Sequence, residues 1–295
     1  MKKTKQIAII SGKGGSGKTT FTSNLAYYFN ESVIADCDVD APDTWILLKP
    51  DVIETKDFKS GKIAVIDGNK CTRCGVCIKY CKFDALKLSE TKAVVNGVNC
   101  EGCGFCKEVC PANAIELQLK KAGEYFESDI EYGKMVHAKL IPGQDNSGKL
   151  VHVVRQKAKD IAENGNYCPV IIDGPPGIGC TVMSAITGID YAIIVTEPSL
   201  SGESDFKRVA ALCMKQDIKC FLVINKSGIN DKISESIKTF AYENNISFLG
   251  EIPFDKLVVS ALVNKDLLLK SFPETQVSKK MIEIFDKITK IVQCN

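Results

Sequence analysis

The chain has no apolar run approaching the roughly 18 residues of a membrane span, no low-complexity segment and no long run of one charge. Its basic start, MKKTKQIAIISGKGG, holds an apolar stretch only at residues 7–10, too short for the core of a secretion signal. Net charge is nearly absent: 38 Lys+Arg against 36 Asp+Glu leave +2. No overall field therefore recommends nucleic acid or an anionic membrane as partner. Only two histidines occur, and neither His137 nor His152 lies near a recognised motif, which suits loop or surface roles better than catalysis. These absences predict a soluble, cytoplasmic protein with neither nucleic acid nor membrane among its partners.

Cysteine, by contrast, is abundant: 14 in 295 residues. A disulfide framework suits a short secreted chain, and this chain is neither. Eight cysteines crowd between Cys71 and Cys110, while Cys37, Cys168, Cys180, Cys213, Cys220 and Cys294 are scattered. The crowded group reads as metal binding and the scattered ones as small buried hydrophobes.

Segments 1–57 and 125–295 share one texture, in which short β-branched apolar runs are each followed by a helical pattern. Strands are predicted at 7–11, 33–35, 170–173, 191–196 and 220–225, with a weaker one at 247–249. Helices are predicted at 18–29, 201–215, 231–243 and about 273–293. Continuous apolar strands alternating with helices predict an α/β fold, a parallel sheet covered on both faces. Between these segments, residues 61–119 carry an internal repeat. CTRCGVCIKYCKFDALKL begins at Cys71, and CEGCGFCKEVCPANAIEL begins 29 residues later at Cys100. So short a unit buries little core, and bound metal has to supply the missing stability. It reads as a small metal-stabilised domain inserted into the α/β domain.

Gly12-Lys13-Gly14-Gly15-Ser16-Gly17-Lys18-Thr19-Thr20 fits the P-loop pattern from Gly12 to Thr19. It follows a predicted strand and opens a predicted helix. Its glycines let successive backbone N–H groups curl around phosphate oxygens, aided by the positive end of the helix. Lys18 would neutralise the β/γ charge of ATP, and the Thr19 hydroxyl would hold Mg²⁺. With Lys13 as a second lysine, the loop resembles the deviant P-loop of the MinD/ParA family of ATPases. Asp36-Cys37-Asp38 stands where that family has switch I, and Asp173-Gly174-Pro175-Pro176-Gly177 where it has switch II. Asn225-Lys226 matches its adenine-reading asparagine, and Ile252-Pro253-Phe254-Asp255 its purine-side loop, which puts Pro253 and Asp255 beside the base.

That resemblance implies that Asp38 positions or activates the attacking water and that Asp173 supports Mg²⁺ through water. It also implies that Lys13 reaches across an ATP-bound homodimer to the partner's phosphates, like an arginine finger. Asp36 is either a further switch residue or a strand-end cap. Cys180, seven residues after Asp173, matches the offset of a cluster ligand in the nitrogenase iron protein, a relative of this class; otherwise it is a packed thiol.

Cys71-x₂-Cys74-x₂-Cys77-x₃-Cys81 and Cys100-x₂-Cys103-x₂-Cys106-x₃-Cys110-Pro111 are two complete bacterial ferredoxin runs. In such runs the fourth cysteine crosses to the other cluster. One [4Fe–4S] cluster is thus expected on Cys71, Cys74, Cys77 and Cys110, and the other on Cys81, Cys100, Cys103 and Cys106. Zinc is the competing ligand, since it needs only Cys-x₂-Cys pairs; the two full runs favour iron–sulfur. Lys82 departs from the pattern, standing where the first run would have proline.

The whole chain resembles the MinD/ParA-superfamily P-loop ATPases that contain an inserted 2[4Fe–4S] ferredoxin domain. The resemblance implies a slow ATPase whose nucleotide-dependent dimer gates electron transfer, or metal or iron–sulfur cofactor assembly, on a partner protein. Two alternatives stand beside it. One is a MinD/ParA-like positioning ATPase with structural clusters; the other is a ferredoxin-type electron carrier with a regulatory nucleotide site. MinD ends in an amphipathic membrane-targeting helix, but the apolar stripe at 281–292 is expected to pack on the sheet.

Overall fold

The computed structural model describes residues 4–144 and 146–293. In chain order, β1 (Gln6–Ser11), α1 (Lys18–Phe29), β2 (Ser32–Asp36) and α2 (Thr44–Leu48) come first. They are followed by β3 (Asp51–Ile66), α3 (Val76–Tyr80), β4 (Leu86–Leu88), β5 (Ala93–Val95), α4 (Phe105–Glu108) and β6 (Ile115–Ile130). Next come β7 (Gly133–Leu140), α5 (Ser147–Gly165), β8 (Val170–Pro176), α6 (Cys180–Ile186), β9 (Tyr191–Thr196) and α7 (Leu200–Lys215). The chain closes with β10 (Lys219–Ser227), α8 (Asp231–Glu243), β11 (Ser247–Pro253), α9 (Lys256–Val263), α10 (Leu268–Ser271) and α11 (Gln276–Val292). Two compact units result: Met1–Thr55, Tyr125–Lys139 and Ser147–Asn295 form one, and Lys56–Glu124 with Leu140–Asn146 the other.

The first unit is built on a sheet in the order β11-β10-β9-β1-β8-β2-β7, with β6 and β3 beyond β7. Every pairing from β11 to β7 is parallel. The reason lies in the residues: all six of β1 are buried, as are all five of β2, which requires helices on both faces. α1 and α11 meet over one face, where the Phe21 and Phe285 rings cross edge-on with centroids 5.1 Å apart. In α11 the stripe Val277, Met281, Ile284, Phe285, Ile288 and Val292 is buried, so its apolar face is used in the protein's own core. No helix among the described residues is long and apolar enough to cross a membrane.

The parallel order places the C-terminal ends of β1, β2 and β8 side by side, with Ile9 and Asp36 both opposite Asp173. Loops leaving these ends face one crevice, where ligands of such sheets bind.

The second unit is organised differently. It holds much of β3 and β6, which neighbour each other in the large sheet, and a separate antiparallel pair, β4–β5. Its buried apolar cluster holds just Ala64, Ile66, Cys77, Leu86, Ala93 and Ile115, with most of the crowded cysteines packed around it. That core is small for an independent unit.

Candidate functional site

The loop between β1 and α1 lines a cavity of about 370 Å³ together with Asp38, Asp43, Asn225, Lys226 and the segment after β11. Gly17 sits at the head of α1 with φ 89°, a left-handed conformation natural to glycine, and no side chain caps the helix. Its first N–H groups are therefore available to an anion. A side chain at Gly17 would also run into the Asn225 amide.

Beneath the loop, Asp173 is fully buried and collects four donors. Lys18 Nζ lies 3.0 Å and Thr22 Oγ1 2.8 Å from its Oδ1. Thr19 Oγ1 at 2.9 Å and Thr44 Oγ1 at 3.0 Å donate to Oδ2. Burial disfavours the Lys18 charge, yet the Asp173 carboxylate outweighs it, helped by Asp36 and Asp38, and holds Lys18 above the usual lysine value. Asp36 is fully buried; its Oδ1 accepts from the Asp38 backbone N–H at 3.2 Å, and its Oδ2 has no partner. Burial, and then repulsion from Asp173, push its carboxyl well above the carboxylate range. Burial likewise raises Asp38 and Asp43, which are closer to solvent.

Other residues expected at this site also have defined partners. Asn225 Nδ2 donates to the Ser16 carbonyl at 2.8 Å, and Lys226 Nζ to the Gly15 carbonyl at 2.7 Å, so the end of β10 pins the phosphate loop. Asp255 caps α9 by accepting from Leu257 N–H at 2.9 Å. Pro253, Phe254, Val258, Val259 and Leu262 give this end of the cavity an apolar wall, suited to the flat face of a base. Lys13 Nζ pairs with Glu197 at 2.6 Å. Cys180 is exposed as the first residue of α6 and is not a packed thiol. Cys37, Cys213 and Cys220 are buried, and Cys294 lies outside the described residues.

In the second unit the crowded cysteines divide between two cavities. Cys71, Cys74, Cys77 and Cys110 line one, with Arg73 and Pro111. Cys81, Cys100, Cys103 and Cys106 line the other, with Lys82 and the aromatic rings of Tyr80, Phe83 and Phe105. Gly75 and Gly104, both left-handed, turn the chain into α3 and α4, which carry Cys77 and Cys106. Each cavity offers four thiols, the donor set of a [4Fe–4S] cluster. Among the described residues, no three His, Cys, Asp or Glu side chains are grouped to hold a single metal ion.

The family model for the CobQ/CobB/MinD/ParA nucleotide binding domain matches residues 7–268. The chain belongs to this family. The chain is 34% identical over 295 residues to uncharacterized protein MJ0578 of Methanocaldococcus jannaschii, covering 97% of each. An iron–sulfur cluster carrier protein of Saccharolobus solfataricus is 27% identical over 147 residues, spanning 43% of this chain and 47% of that protein. The crystal structure of the Pyrococcus furiosus cell division ATPase MinD superposes with TM-score 0.59 at 19% identity, covering 97% of this chain and 99% of that one. That likeness is one of fold.

Four residues at the CobQ/CobB/MinD/ParA-type site escape motif reading: Thr22, Asp43, Thr44 and Glu197. Thr22 carried a faint signal, one turn after Lys18 on the same helix face. Glu197 carried another, being a carboxylate just past a strand's C-terminal end. Thr44 carried none, because only the folded path of 37–44 brings it over Asp173.

Proposed function

We propose that the chain is an ATP-binding and ATP-hydrolysing iron–sulfur protein. In this reading its nucleotide-dependent homodimer gates electron transfer, or metal or iron–sulfur cofactor assembly, on a partner protein. The observation that carries the proposal is the division of eight cysteines into two four-thiol cavities, in a chain whose other unit presents a P-loop cavity.

Lys18 exchanges its Asp173 partner for the β/γ-phosphates of ATP. Thr19 and Asp173, the latter still held by Thr22 and Thr44, would hold the Mg²⁺ that accompanies the nucleotide, and that ion would neutralise phosphate charge. Asp38 orients the water that attacks the γ-phosphorus; the new P–O bond forms as the bond to the ADP oxygen breaks, and the water's proton passes to the released phosphate, while Asp36 lies two residues before it. Lys13 of one protomer stabilises charge on the partner's phosphates. Asn225, Pro253 and Asp255 frame the base, with Asn225 also fixing the loop. The two [4Fe–4S] groups would supply one-electron chemistry or serve as transferable cofactor, held by Cys71, Cys74, Cys77 and Cys110 and by Cys81, Cys100, Cys103 and Cys106. Similarity to an archaeal iron–sulfur cluster carrier supports the assembly output. A surface-positioning role finds less support, since the apolar stripe of α11 is spent on the core.

The test is an ATPase assay on anaerobically purified protein, with clusters reduced and oxidised. Hydrolysis should depend on Lys18 and respond to the cluster state. Lys18→Ala protein hydrolysing ATP at the parent rate would reject the P-loop assignment.

A further inference from the structure

Lys13 is committed within its own chain. Its ammonium lies 2.6 Å from Glu197 Oε1 and donates to Ser201 Oγ at 2.8 Å. The second carboxylate oxygen, Glu197 Oε2, accepts from Lys226 at 2.7 Å, and Lys226 also holds the Gly15 carbonyl. Glu197 stands between β9 and the α7 cap Ser199, whose Oγ accepts from Gly202 N–H. One carboxylate thereby joins the phosphate loop, the end of β10 and the start of α7. The Glu197 side chain is 18% exposed, so solvent screens the pair less than an ordinary surface bridge. Burial disfavours its charge, but hydrogen bonds from Lys13 and Lys226 outweigh that and hold the carboxyl below the usual glutamate value.

We propose that Glu197 is a positioning residue that latches Lys13 inside its own subunit, and that the ATP dimer forms as this contact opens and Lys13 crosses to the partner. The inference rests on the dimer reading above and names the residue that sets its threshold. The chemistry favours a latch over a permanent tie. When Lys13 leaves, Lys226 remains on the other oxygen, so Glu197 does not become a shielded, unpaired charge, the outcome that makes breaking such pairs costly. The Lys13 ammonium gives up one carboxylate and gains triphosphate oxygens of higher charge. A diphosphate offers less, and the latch stays closed.

Analytical ultracentrifugation of the full chain carrying Asp38→Ala, to block turnover, tests this in Mg²⁺-ATP and in Mg²⁺-ADP. Adding Glu197→Gln, which keeps shape and loses charge, should tighten the ATP dimer about tenfold, equivalent to about 1.4 kcal/mol. Glu197→Asp, with a shorter reach, should tighten it less. On a Lys13→Ala background Glu197→Gln should change nothing, a result that general loosening of the fold would not give. Dimers of both Glu197 variants no tighter than the parent, or tightening that persists without Lys13, would overturn the latch alone. A parent that stays monomeric in Mg²⁺-ATP would overturn the dimer reading and the latch with it.

Discussion

Replacing Asp173 by alanine should destabilise the nucleotide-free protein by about 3 kcal/mol. Four donors converge on that carboxylate, but they do not lose equally. Thr19 keeps Asp43 at 3.1 Å, and Thr22 keeps the Lys18 carbonyl at 3.0 Å. Lys18, with 7% of its side chain exposed, is left with an unpaired charge, and the fully buried Thr44 is left with an orphaned hydroxyl. Removing one partner of a buried pair costs about 3–5 kcal/mol, and an orphaned hydroxyl adds about 1 kcal/mol or more. The pull of Asp38 on Lys18 returns part of this, which sets the lower end of the range. At about 2–4 °C per kcal/mol for a domain of this size, the melting point of the nucleotide-binding unit should fall by roughly 6–12 °C. Calorimetry without nucleotide reads this directly. A double Lys18→Ala/Asp173→Ala variant should lose less than the sum of the single changes, because each single change strands the other residue. An Asp173→Ala protein that melts with the parent, or strictly additive changes, would refute the claim that the pair organises the empty site.

Three further outcomes follow from the same geometry. The Asp36 carboxyl is raised by burial and by Asp173, so the folded chain binds a proton that the unfolded chain has released. That contribution makes stability fall as pH rises from the ordinary carboxylate value, by up to about 1.4 kcal/mol per pH unit. Asp36→Asn should therefore stabilise the nucleotide-free protein above the ordinary carboxylate value and flatten the fall of its stability with rising pH. The sole tryptophan, Trp45, is 49% exposed on α2, next to the Thr44 that bonds Asp173; Mg²⁺-ATP should shift its fluorescence in the parent, and Thr44→Val should shrink that response. Cys110→Ser should damage the centre shared with Cys71, Cys74 and Cys77, while Cys81→Ser should damage the other, as electron paramagnetic resonance of each reduced variant would separate.

Much of the architecture was legible because buried parallel strands are apolar on both faces. Runs such as 7–11 and 191–196 announce themselves, and the helix at 18–29 coincides with α1. The strands β3 and β6 were not legible. DVIETKDFKSGKIAVI and IELQLKKAGEYFESDI mix charge with apolar residues, and most positions of β3 are exposed. Their strand form comes from pairing at the sheet edge, which single-sequence periodicity does not carry. The phosphate loop was visible because its chemistry dictates local spacing. Glu197 and Thr44 were not, because they reach Lys13 and Asp173 across 184 and 129 positions respectively. The eight cysteines are spaced locally, yet their sorting joins Cys110 to residues near 71 and Cys81 to residues near 100. That pairing comes from the repeat as a whole rather than from either half.

Iron and acid-labile sulfide analysis of anaerobically purified protein, with electron paramagnetic resonance of the reduced sample in Mg²⁺-ATP and in Mg²⁺-ADP, tests the central claim most directly. The account predicts about eight irons per chain as two [4Fe–4S] centres, with a reduced spectrum that differs between the two nucleotides. Tightly bound zinc without iron, or a spectrum indifferent to nucleotide, would contradict it.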